Sequence, residues 1–87
     1  MVSQTVTVTN PTGIHARPAA TLAKVAAPFK SNIFLNTGAK KVQAKSVLNL
    51  MSAAIKCGTE IVVECDGEDE ADALKAVVEA IESGLGE

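Results

Sequence analysis

One side chain in this sequence can exchange a proton, or act as a nitrogen nucleophile, near neutral pH, and it is His15. It stands two residues after the turn former Gly13 and two before Arg17, with Pro18 next. Proline is tolerated in a helix only in the first turn, where its missing N–H would have had no partner. A helix must therefore start close to His15. Such a start offers unpaired backbone N–H donors and a partial positive charge, which together suit an anion. An imidazole placed there is disfavoured as a cation, so a lowered pKa and a neutral, nucleophilic ring are expected. The guanidinium fork of Arg17 fits phosphate oxygens, and the N–H groups of Ala16 and Arg17 are free to face the same anion. Nucleophile, amide donors and guanidinium within one turn are what covalent phosphoryl acceptance requires. The same spacing also fits a histidine that merely caps a helix or lies on the surface.

Other chemistries find less support. Cys57 and Cys65 match neither a Cys-x-x-Cys redox pair nor a zinc framework, and one histidine cannot complete a four-ligand site. Two reduced thiols are expected, Cys65 as a small core hydrophobe, with no metal and no cofactor. Acid–base catalysis by His15 would want a histidine, cysteine or carboxylate partner within the motif, and there is none.

The elements that must hold His15 follow from periodicity. Thr5 to Thr9 alternates with β-branched residues and reads as a strand, ended by Asn10-Pro11-Thr12-Gly13. Ala16 to about Ala27 reads as a helix with Ala19, Leu22, Ala23 and Ala26 on one face, stopped by Pro28. Ile33 and Leu35 share one face of a second strand, opposite Asn32, Phe34 and Asn36. After Thr37-Gly38-Ala39 a third strand, Lys40 to Lys45, points Val42 and Ala44 inward. Ser46 is a good N-cap for a short helix, Val47 to Ala54, whose inner side falls to Leu50, Ala53 and Ala54. Past Cys57-Gly58, Thr59 to Cys65 is a strand with Ile61, Val63 and Cys65 inward. A final helix follows the acidic stretch 66–70, which suits its dipole, with a stripe of Ala71, Leu74, Val77, Val78 and Ile81 and a stop at Gly84. The order βαββαβα implies an α+β two-layer domain, one sheet covered by helices on one side.

Composition sets the outer bounds. Eighty-seven residues make one domain, 1–87, with one modest core. With 47% hydrophobic but only 2% aromatic residues, that core is aliphatic, and Phe29 and Phe34 are its sole rings. A net charge of −2, no basic run beyond Lys40-Lys41 and no stacking aromatics argue against nucleic acid. No basic leader or long apolar stretch is visible, so a cytoplasmic protein without membrane contact is expected.

Gly13-Ile14-His15-Ala16-Arg17-Pro18-Ala19 resembles the active-site motif of the histidine-containing phosphocarrier (HPr) family of the bacterial sugar phosphotransferase system. Lys45-Ser46-Val47-Leu48 with Leu50-Met51-Ser52 resembles that family's second signature, around a regulatory serine, in its Gram-positive form. The length, the element order and the ending Glu82 to Glu87 are similar as well.

The resemblance implies an open-faced sandwich with a four-stranded antiparallel sheet and three helices on one face. It implies a carrier rather than a stand-alone catalyst. Phosphorylated enzyme I would donate to Nδ1 of His15, and the phosphohistidine would pass the group to IIA domains of sugar permeases. Arg17 and the amides of Ala16 and Arg17 would steady the phosphate. Ser46 would be modified by an HPr kinase/phosphorylase, repelling an acidic enzyme I surface and attracting a basic catabolite-control repressor. Ala16, Ala20, Val47, Leu48 and Met51 would form an exposed apolar patch rimmed by Lys24, Lys45 and Arg17, on a chain expected to be monomeric. Helical spacing alone equally allows Leu48 and Met51 in the core. Thr12, Ala20, Asn49 and Pro28-Phe29 depart from the family pattern and bear on partner preference. A regulatory paralogue acting mainly through phospho-Ser46 is the alternative; that relative carries glutamine at the histidine position.

Overall fold

The computed structural model describes residues 1–9, 13–14, 16–53 and 55–85. Along the chain run β1 (Val2–Thr7), α1 (Ala16–Ala26), β2 (Asn32–Asn36), β3 (Lys41–Gln43), α2 (Val47–Ser52), β4 (Glu60–Asp66) and α3 (Glu70–Glu82). The strands form one antiparallel sheet in the order β1-β4-β2-β3. The βαββαβα order and the two-layer α+β architecture expected from periodicity are both present.

Register explains which face is covered. Val6 lies opposite Ile61, Ile33 opposite Cys65, and Leu35 between Val63 and Val42. Paired residues share a face, so these rows make one apolar sheet surface. Leu22 of α1, Leu50 of α2 and Val77 and Ile81 of α3 complete the core against it and are fully buried. The other face carries a polar cluster. Glu64 lies 2.8 Å from Lys41 Nζ and accepts from Asn36 at 3.2 Å, and the Lys41 ammonium sits 4.9 Å from the Phe34 ring centre.

Several boundaries differ from the sequence expectation. β1 begins at Val2 and ends at Thr7: Ser3 and Gln4 break the β-branched alternation, and it is pairing with Glu64 and Val63 of β4 that makes them strand. β3 is shorter than Lys40 to Lys45: Ala44 is buried and its N–H still bonds the Ile33 carbonyl, but the chain is already turning into the Ser46 cap. β4 spans Glu60–Asp66 rather than Thr59 to Cys65. α2 ends at Ser52, and Ala54 lies outside the described residues. In α3 the stripe is shifted. Ala71 is exposed and Leu74 only half-buried, while Ala73 is fully buried with Val77, Val78 and Ile81. Ala73, four residues before Val77 and eight before Ile81, lies on their side of the helix, which Ala71 does not.

Helix ends match their chemistry. Ser46 Oγ accepts from the Asn49 N–H at 3.3 Å, capping α2. α3 closes with Gly84 N–H on the Ile81 carbonyl at 3.1 Å and Leu85 N–H on that of Ala80 at 3.0 Å, with Leu85 buried. This is a Schellman ending, and the positive φ of Gly84 is what it requires.

Candidate functional site

α1 begins at Ala16, with Ala16, Arg17 and Pro18 in its first turn and no acidic residue there. The N–H groups of Ala16 and Arg17 have no carbonyl one turn earlier within the helix, and nothing in that turn offsets its positive end. Pro18 is buried against the core, as are Ala19, Leu22, Ala23 and Ala26, which leaves Ala16, Arg17, Ala20 and Lys24 exposed. Thr21 Oγ1 donates to the Arg17 carbonyl at 3.1 Å within the same helix. His15 lies outside the described residues, as do Asn10-Pro11-Thr12, Gly86 and Glu87.

The approach to the helix is fixed by Gly13 and Ile14. Gly13 has φ +73, and a Cβ there would overlap the Ile55 carbonyl oxygen and come within 2.9 Å of Lys56 Cα. The Ile14 N–H donates to that same carbonyl at 2.8 Å, and the Ile14 side chain is buried. Only a residue without a side chain permits this contact.

α2 packs beside α1 and shows a second exposed row: Leu48 is 77% exposed, Met51 45% and Val47 36%. Leu50 is fully buried and Ala53 leans on the core, so this short helix turns Leu50 inward and Leu48 and Met51 outward. Ser46 is half-exposed at its start. Lys45 is exposed too, but its ammonium donates to the Phe29 carbonyl past the end of α1. The lysine anticipated as a rim charge is also a tie between the turns that flank α1 and α2.

Two features were not foreseen from the sequence. The Ile55–Cys57 backbone supports Gly13 through atoms common to every residue, so only the glycine hinted that something approached closely. Asp69, read as a carboxylate serving the α3 dipole, makes no side-chain bond to its own helix start. Its oxygens accept from the N–H groups of Lys30 and Ser31, both at 2.9 Å, and from the Ser31 hydroxyl in a shorter bond. The Ser31 hydroxyl, and then the Lys30 amide, lower its pKa from an ordinary 3.8 to about 2. Gly67 allows this approach, since a Cβ there would lie 2.7 Å from Ser31 Cα. Cys57 is an exposed thiol, and Cys65 is a buried one whose pKa is pushed up by burial and by the charges of Glu70 and Asp69.

By its architecture the chain is a small α+β open-faced sandwich, one sheet with three helices on one face, and comparison with known proteins narrows this to a family. The model of the PTS HPr component phosphorylation site matches residues 2–83. A phosphocarrier protein HPr from Mycoplasma capricolum is 46% identical over 70 residues, 80% of this chain and 79% of that one. An HPr-like protein Crh from Bacillus subtilis is 48% identical over 75 residues, 86% of this chain and 88% of that one. The crystal structure of HPr-C-His from Thermoanaerobacter tengcongensis has a TM-score of 0.94 at 41% identity, covering 100% of this chain and 98% of that one. The chain belongs to the HPr family of phosphocarrier proteins, components of a phosphotransferase system rather than stand-alone catalysts. No helix among the described residues is long and apolar enough to cross a membrane.

Proposed function

We propose that this protein, as one monomeric cytoplasmic domain, relays a phosphoryl group through His15 from phosphorylated enzyme I to the IIA domains of sugar permeases. The observation that carries the reading is a helix start free of acidic residues, holding exposed Arg17 and the first-turn amides of Ala16 and Arg17, immediately after the sequence position of the chain's sole histidine. In the transfer, the Nδ1 lone pair of neutral His15 forms a bond to phosphorus as the bond to the donor breaks. Arg17 and the helix-start amides balance the charge on the phosphoryl oxygens. The reverse geometry delivers the group to IIA.

The exposed rows of α1 and α2 serve as the partner surface: Ala16, Ala20, Val47, Leu48 and Met51 supply apolar contact, with Lys24, Lys45 and Arg17 as cationic rim. A small apolar patch ringed by charge suits brief encounters with enzyme I and IIA. Ser46, half-exposed at the start of α2, is the site for an HPr kinase/phosphorylase, and the phosphorylated form recruits a catabolite-control repressor. Similarity to an HPr-like Crh favours a second reading, a regulator acting mainly through phospho-Ser46; the presence of His15 favours the relay.

Incubation with enzyme I, phosphoenolpyruvate and magnesium tests the relay. The wild type is expected to gain one acid-labile phosphate by mass, and His15→Ala none. Equal uptake by the two proteins would remove His15 from its role, and no uptake by the wild type would leave the regulatory reading in its place.

A further inference from the structure

The segment before the proposed acceptor is tied to one strip of backbone at both of its ends. On the amino side, Val8 N–H donates to the Thr59 carbonyl at 2.9 Å, and Gly58 N–H donates to the Val8 carbonyl at 2.8 Å. Val8 thus faces both Gly58 and Thr59, a glycine bulge with φ +86 at Gly58 that follows the last regular β1–β4 pair, Thr7 with Glu60. On the other side, Ile14 N–H donates to the Ile55 carbonyl at 2.8 Å, a bond that belongs to no ladder. Gly13 is pressed onto the same strip, with room for no side chain. Val8, Ile14 and Ile55 are all buried, so the strip is itself seated on the core.

We infer that residues 55–59 are a positioning clamp for the chain that enters α1, and that Gly13 and the Ile55 carbonyl fix Ile14, the sequence neighbour of the proposed acceptor, relative to the start of that helix. The inference rests on the relay reading for its consequence in transfer, but the clamp can be observed without enzyme I. The residues involved touch no phosphate; they act by holding backbone in place. Because phosphoryl transfer depends on alignment to within about an ångström, even a small displacement here costs rate.

Gly13→Ala is the direct probe, since its Cβ forces the 13–14 segment off the Ile55 carbonyl. Gly38→Ala is the comparison: Gly38 also has a positive φ, +90, but a Cβ there meets nothing within 4 Å, and it sits in the β2–β3 turn. Both variants carry left-handed backbone strain, and only one displaces the acceptor segment. Gly13→Ala is expected to slow phosphoryl uptake from enzyme I by about ten- to a hundredfold. It is also expected to move the midpoint of the single histidine's NMR titration, while Gly38→Ala leaves both at wild-type values. Equal behaviour of the two folded variants would overturn the clamp. Amide hydrogen exchange on the unmodified protein covers the case in which Gly13→Ala does not fold. The Ile14 amide should be protected to the same degree as those of Val8 and Gly58, and an Ile14 amide exchanging as freely as an exposed turn would also overturn it. A wild type that accepts no phosphate yet shows the protected Ile14 amide would sink the relay reading and leave the clamp standing.

Discussion

Arg17 is a residue at which the proposed relay can be tested without disturbing the fold. It is exposed in the first turn of α1, where its backbone carbonyl accepts from Thr21 and its side chain fills no part of the core. Arg17→Ala is therefore expected to keep the wild-type thermal midpoint while slowing phosphoryl transfer by about tenfold or more, the scale of losing one charge-assisted phosphate contact. Transfer kinetics beside a melting curve check this, and an unchanged rate would strip Arg17 of its role. Pro18, one position on, works in the opposite sense. It is buried, and its missing N–H spares the first turn a donor while its ring helps seat the helix on the core. Gly13 likewise earns its place through what it lacks.

α2 illustrates an element too short to persist alone, held by its cap and by one buried side chain. Ser46 caps it through the Asn49 N–H, Leu50 anchors it, and Lys40 Nζ donates to the Ser52 carbonyl at its far end at 3.3 Å. Aspartate caps as well as serine does, whereas alanine does not. Ser46→Ala should thus lower stability by about 1 kcal/mol in chemical denaturation. Ser46→Asp should hold stability near wild type and weaken exchange with enzyme I through its added charge. If Ser46→Asp exchanged as fast as wild type, the repulsion proposed for the phosphorylated serine would have no support. Periodicity alone left Leu48 and Met51 open between core and surface. Tertiary packing decided it, because α1 and the sheet take Leu50 and leave no buried place for the other two.

The molecule as a whole is closed by Asp69, which joins the turn after α1 to the turn before α3, 38 residues apart in sequence from Ser31. Its pKa is lowered on folding from 3.8 to about 2, so the unfolded chain binds a proton at higher pH than the folded one. The stability this contributes is complete above pH 3.8 and is lost as pH falls through about 2. Glu64, also lowered by hydrogen bonds from Lys41 and Asn36, adds to the same acid-side loss. Asp69→Asn should melt several degrees below wild type at neutral pH, and the gap should narrow between pH 4 and 2. A gap that stayed constant across that window would contradict the assignment.

Much of this protein was legible before any coordinates. Alternating β-branched runs gave the strands, and the Ala19-Leu22-Ala23-Ala26 face gave α1, because burial on one side leaves a period in the chain. Pro18 placed the start of α1 beside His15, since a proline's missing donor is harmless only there. Short-range rules could not supply what depends on residues far apart. Ala73 replaced Ala71 in the α3 stripe because the helix's rotation is set by what it packs on. The Asp69–Ser31 tie, the Lys45–Phe29 tie and the Ile55 support of Gly13 all pair groups that sequence separation hides. Two of the three use a backbone carbonyl, an atom every residue carries, so only the folded chain could show which one was taken.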